Sequence, residues 1–231
     1  MLSIRRGVGF AGVVAAVVMA VAVYSLPCLA AGSWKIGAHV AYVDGETGVW
    51  DLHDVEMVNE IDGITVVSKR ARYDRNTKSV EFVDSVRVTQ SGTVVNAESG
   101  FFSTETNTGT FRGSVSLVRT KTEEEAFDME LTCEELDLDA SADSFIAKKD
   151  AVLRYVDEDG EETVLWADLM DYDGERRILK LTNVVKASSP SLPEGSQVAA
   201  RTMEFNTETG NMHFTGLDLV LPQSEEAEAE S

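Results

Sequence analysis

Around Val80 the chain alternates. Val80, Phe82, Val86 and Val88 are apolar, whereas Ser79, Glu81, Ser85, Arg87 and Thr89 between them are polar. Successive side chains of a strand point to opposite faces, so a two-residue period marks a β-strand with one dry side and one wet side; a helix would scatter these positions around its circumference. Further on, Phe111, Val115 and Leu117 alternate with Thr110, Arg112, Ser114 and Ser116 in the same way. The predicted elements are therefore strands that share one apolar face.

Each alternating run follows a related polar segment. Tyr73-Asp74-Arg75-Asn76-Thr77-Lys78 precedes the first and Phe102-Ser103-Thr104-Glu105-Thr106-Asn107 the second. Tyr172-Asp173-Gly174-Glu175 leads into Leu179, Leu181, Asn183, Val185 and Ala187, and Phe205-Asn206-Thr207-Glu208-Thr209-Gly210 into Met212, Phe214 and Gly216. Two weaker copies, Tyr42 to Met57 and Leu138 to Leu153, fit after a one-residue shift. Asp, Asn and Gly tolerate the tight conformations of hairpin loops, so the unit reads as a β-hairpin that must stack on the next to bury its apolar face. Asp84, Gly113, Asn183 and Gly216 interrupt the alternation at one recurrent place, where a kink or bulge would curve the sheet into a trough.

The termini differ from this middle. Arg5 and Arg6 are followed by no charge before Lys35, and Gly7 to Leu26 is almost wholly apolar. Residues 1–31 read as an export signal with a cleavage site near Ala30, or as a retained membrane anchor; in either case the chain beyond Gly32 lies outside the cytoplasm. Residues 32–222 read as one β domain interrupted by the loop Ser188 to Ser196. Residues 223–231 read as an acidic disordered tail.

Charge and chemistry then exclude function classes. A net charge of −20 lacks the basic footprint that nucleic-acid phosphates require. Cys28 falls in the export segment, and Cys133, in register with Met129 and Leu131, reads as a small hydrophobe on a buried strand face. His39, His53 and His213 lack metal-ligand spacing, and the acidic run Asp157 to Glu162 lacks the spacing of a calcium loop and reads as a solvated turn. No nucleophile elbow, P-loop or dinucleotide fingerprint is present, so the sequence calls for no catalytic residue, metal or cofactor.

The repeats, with Trp34-Lys35-Ile36-Gly37-Ala38, Asp62-Gly63-Ile64-Thr65-Val66-Val67-Ser68, Ala71-Arg72-Tyr73-Asp74 and Ser91-Gly92-Thr93-Val94-Val95-Asn96-Ala97-Glu98, resemble the LptA/LptC/OstA-like family of lipopolysaccharide-transport proteins, LptC most of all. The pattern covers about Trp34 to Leu221 and has no short invariant signature. The resemblance implies a twisted, partly open antiparallel β-jelly-roll in the periplasm, with an N-terminal hydrophobic helix that anchors it to the inner membrane if retained. It also implies an apolar interior for lipopolysaccharide acyl chains, edge strands paired with other bridge proteins, and an inner-membrane ABC transporter as neighbour. The length, the copies after Glu135 and the acidic stretch Thr120 to Glu135 depart from LptC towards LptA. The expected lining is Val80, Phe82, Val86, Phe111, Val115, Leu117, Leu179, Leu181, Met212 and Phe214, facing one shared hollow. Ordinary core packing accounts equally well for any one of these side chains. Two other readings stand beside the carrier: a structural or adhesive envelope repeat whose interior is filled by its own side chains, and a β-sheet hydrolase using scattered carboxylates.

Overall fold

The computed structural model describes residues 34–120, 127–157, 159–190, 192 and 196–221. The export segment and the acidic tail lie outside these residues, as do parts of the Thr120 to Glu135 stretch and of the loop after Ser188. All regular structure among them is β: β1 (Trp34–Val43), β2 (Val49–Asn59), β3 (Ile64–Asp74), β4 (Ser79–Gln90), β5 (Thr93–Ala97), β6 (Ser99–Ser103), β7 (Thr108–Arg119), β8 (Asp128–Asp139), β9 (Ser144–Val156), β10 (Glu162–Asp173), β11 (Ile178–Ser188), β12 (Gln197–Asn206) and β13 (Met212–Val220). They form one antiparallel sheet in which strands neighbouring in sequence pair in space. β5 and β6 are the two halves of one strand, broken at Glu98 and lying between β4 and β7. The stacked hairpins are those the repeats predict, and the antiparallel β-jelly-roll is the fold that the resemblance implies.

The repeated polar segment is a single kind of turn. Asp44, Asp74, Asp139 and Asn206 each accept bonds from the backbone N–H groups two and three residues on, through one side-chain oxygen. Gly48, Lys78, Asn107, Asp143, Arg177 and Gly210 then take positive φ, between 49° and 74°, as hairpin loops of this length require. Six such turns lie along one end of the sheet, including both weak copies, so the weakness lay in side-chain identity and not in backbone form.

The interruptions are bulges, as the alternation predicts. Ser85, Gly113, Ser114, Asn183 and Gly216 have positive φ, and the ladders shift register at the same level, between Arg70 and Ala71, between Arg112 and Val115 and between Thr132 and Glu135. The row of bulges bends every strand at mid-length. Bulge length decides which face follows. Phe82 to Val86 and Phe111 to Val115 span four residues, so the alternation keeps its phase; Leu181 to Val184 and Phe214 to Leu217 span three, so it flips. Val185, expected on the apolar face, is for that reason turned to solvent and 63% exposed, and Val184 is buried in its stead.

The bend lets the two ends of the strands meet along a seam, each contact skipping several strands. Trp34 of β1 packs edge-on against Phe102 at 5.3 Å, and its Nε1 donates to Asn107 Oδ1 at 3.2 Å. Asn107 Nδ2 donates to Asp62 Oδ2 at 2.8 Å, and Gln90 Nε2 to the Ala140 carbonyl at 3.0 Å. Arg119 pairs with Asp143 and lies over the Tyr172 ring, and Tyr155 Oη donates to the Thr207 carbonyl at 2.9 Å. One continuous apolar cluster, from Leu52 to Phe205, fills the space thus enclosed.

Outside, charge is organised beside the bulges. Glu135 on β8 accepts from Lys148 at 3.1 Å, Arg112 at 3.3 Å and Lys149 at 3.4 Å, and Lys148 also donates to Asp137 at 2.5 Å. Lys148, then Arg112, holds the Glu135 carboxyl down at about 2, against an ordinary 4.5. A carboxyl whose pKa is lower in the folded chain stabilises it above the unfolded value, and the gain fades as pH falls from 4.5 towards 2. Glu135→Gln is expected to cost about 1 kcal/mol at pH 7, the range of a partly exposed ion-pair network. Urea melts at descending pH check this: the gap between variant and parent should close as the solution approaches pH 2.

Candidate functional site

The expected lining residues come together on the inner face. Val80, Phe82, Phe111, Leu179 and Leu181 lie on the repeat-turn side of the bend, and Val86, Val115 and Leu117 on the other. All eight belong to the single core cluster and are 0–3% exposed. Met212 and Phe214, on the last strand, pack against that cluster from its rim and are half-buried.

The packing is tight. Phe111 stands across the ladder from Gly100 and Phe102 from Gly109, so each ring occupies the space that a side chain opposite it would need. A Cβ on Gly109 would stand 2.8 Å from Phe102 Cδ2 and 2.9 Å from the Phe101 carbonyl oxygen, so only glycine admits the ring there. The interior is thus closed: the shared hollow expected from the sequence is occupied, in this structure, by the side chains that line it. A concavity of about 640 Å³ lies elsewhere, on the outer face beside Arg72, Glu81, Phe101 and Arg112, and its charged walls suit water better than acyl chains.

The interior opens at its terminal strands. Among the described residues β1 and β13 pair on one side only, which leaves two unpaired edges. The inward register of β13 continues from Phe214 through Leu217 and Leu219, which are 48% and 40% exposed above the buried Ala200 and Val198. Val43, at the end of β1, is 59% exposed. The apolar interior therefore reaches solvent beside unpaired backbone groups, the combination that accepts an added strand.

Alternation alone does not foretell the seam, although one signal for it was present. Arg119 continues the register of Val115 and Leu117, and Gln90 that of Val86 and Val88, so both are polar residues aimed inward. Arg119 is 4% exposed; it donates to Thr93 Oγ1 at 3.0 Å and to Asp143, with the Tyr172 hydroxyl at 3.5 Å. Cys133 is buried as expected, and burial raises its thiol to about 11, which leaves it inert at neutral pH. No group of three or more His, Cys, Asp or Glu side chains placed to hold a metal occurs among the described residues.

No curated protein sequence matches the chain. Among solved structures, LptH of Pseudomonas aeruginosa, described as the LptA-homologous periplasmic component of the conserved lipopolysaccharide transport device, is similar over 83% of this chain and 96% of its own, at 10% identity and a TM-score of 0.25. A family model described as LptA/(LptD N-terminal domain) LPS transport protein matches residues 65–211, from the start of β3 to the turn after β12. That span is more than half of the sequence and contains β3 to β12, most of the repeat turns and eight of the ten lining residues, so the chain belongs to the LptA/LptD N-terminal-domain family of lipopolysaccharide transport proteins.

Proposed function

We propose that the chain is a periplasmic lipopolysaccharide-binding component of the bridge between inner and outer membranes, one that takes acyl chains between the two halves of its bent sheet and hands them on through its edge strands. The observation that carries this reading is the unbroken apolar cluster running through the bent strands and reaching solvent at Leu217 and Leu219. Acyl chains follow such a path by exchanging one apolar surface for another, so transfer needs no reaction and no catalytic group. The unpaired edges of β1 and β13 suit strand addition by other bridge proteins, with an inner-membrane ABC transporter supplying the lipid. An LptC-like role with a retained anchor and an LptA-like role without one differ in residues 1–31, and mass spectrometry of the mature N-terminus separates them.

One observation favours the alternative of a structural envelope repeat: the interior side chains already fill the interior. Photo-crosslinking distinguishes the two. A photoreactive residue at Phe214 or Leu217, facing inward, is expected to capture lipopolysaccharide, as is one at Phe82 or Phe111 once the halves part. Val83 and Val185, outward and 53% and 63% exposed, serve as controls. Adducts from the outward pair alone, or equal adducts from both sets, would exclude the carrier.

A further inference from the structure

We infer that the seam is a side gate to the interior and that the Arg119–Asp143 pair is its latch. This rests on the reading that acyl chains occupy the interior. Every boundary between neighbouring strands is closed by a ladder of backbone hydrogen bonds, whereas among the described residues no backbone bond crosses the seam. Among the described residues the contacts across it are made by side chains: Trp34 on Phe102, Asn107 on Asp62, Gln90 on Ala140, Arg119 on Asp143 and Tyr172, and Tyr155 on Thr207 and Phe205. Parting two strands would break a full ladder; parting the seam breaks a handful of side-chain contacts spread over its length.

A hinge lies opposite. The row of bulges, with positive φ at Ser85, Gly113, Asn183 and Gly216, interrupts the ladders where each strand bends, so a change of angle there disturbs few backbone bonds. Since the interior is filled, an acyl chain enters only when the two halves move apart, and hinge and seam are the pair of features that allow it. The latch sits near the middle of the seam. Arg119 is 4% exposed, while Asp143, on the turn of the opposite strand ends, is 56% exposed at the side chain. Water therefore reaches the acid and hardly the base, and the pair holds the β8–β9 turn over the buried guanidinium.

The full-length chain with Cys28→Ser, Cys133→Ser, Asp62→Cys and Asn107→Cys is bolted across the seam by a short bifunctional reagent that joins both thiols through reducible disulfides, the native side-chain ends there standing 2.8 Å apart. The probe is fluorescently labelled lipopolysaccharide, and the readout is its rate of uptake before and after reduction. Uptake is expected to slow about tenfold or more when the bolt is closed and to recover on reduction, a change within the span that gated association shows. Asp143→Asn, tested without cysteines, is expected to raise the uptake rate several-fold with the circular dichroism of the sheet unchanged. Equal rates for the bolted and reduced forms, or for Asp143→Asn and its parent, would overturn the gate while leaving the carrier reading in place. Failure of the reduced and parent proteins to bind the probe at all would overturn the carrier reading and the gate with it.

Discussion

Phe111→Ala is expected to lower the unfolding free energy by about 3–5 kcal/mol, the cost of removing a buried aromatic ring from a core that cannot collapse around the gap. The surroundings of the ring set the upper half of that range. Phe111 is wholly buried and faces Gly100 across the ladder, where a Cβ would already stand 2.6 Å from the ring. Glycine has no side chain to move into the vacated space, and the neighbouring Phe102 is held by its own glycine, Gly109, and by Trp34. The loss should appear as a fall in melting temperature on the order of 10 °C for a domain of this size. Val83→Ala, on the outward face of β4 and 53% exposed, should change stability by no more than about 0.5 kcal/mol. Similar costs for the two variants in chemical denaturation would mean that Phe111 is not packed as described, and the inner face would need redrawing.

The same residues explain what could be read from the sequence. Strands β4 and β7 were legible from end to end because their bulges insert two residues' worth of backbone between Phe82 and Val86 and between Phe111 and Val115, which restores the alternation beyond the bend. In β11 the bulge at Asn183 shifts the phase by one, so strict alternation carries Val185 inward when the chain in fact buries Val184. A period-two reading senses neighbours within one strand; the size of a bulge is set by the ladder to the next strand, which a single run of residues does not record. The turns were legible for the opposite reason. Asp74 and Asn206 make their bonds to backbone groups two and three residues away, so the chemistry is local and visible in a six-residue window.

The lining was legible as a set and the state of the interior was not. Repetition places Val80, Phe82, Phe111 and Leu181 on one face, and the structure joins them in one cluster. Whether two such faces stand apart or touch depends on the angle of the bend and on what holds the far ends of the strands together. That is decided by Trp34, Gln90, Arg119 and Tyr155, whose partners lie 50 or more positions away in the chain: Asn107 for Trp34, Ala140 for Gln90, Tyr172 for Arg119 and Thr207 for Tyr155. Residue type and register hold a signal for Arg119 and Gln90 as inward polar groups, which the alternation reading passes over. Their partners follow only from the stagger of the sheet.

That stagger makes the Arg119–Asp143 pair asymmetric, and the two halves of the pair should respond differently to substitution. Asp143→Asn takes one carboxylate from a guanidinium that is 4% exposed, while the hydroxyls of Thr93 and Tyr172 stay within reach. Removing one partner of a fully buried pair costs about 3–5 kcal/mol, and because Asp143 itself is 56% exposed and screened, a loss of about 2–3 kcal/mol is expected here. Arg119→Met keeps an apolar stem among apolar neighbours and leaves behind a carboxylate that water already solvates. Replacing a buried cation in this way is often close to neutral, so a loss of about 1 kcal/mol or less is expected. Urea melts of the two variants and of the double variant check the argument. The double variant should match Arg119→Met, since without the cation the charge on Asp143 has little to act on. A larger loss for Arg119→Met than for Asp143→Asn would show that the base contributes by packing against Tyr172 more than by its charge, and that the seam is held by shape alone.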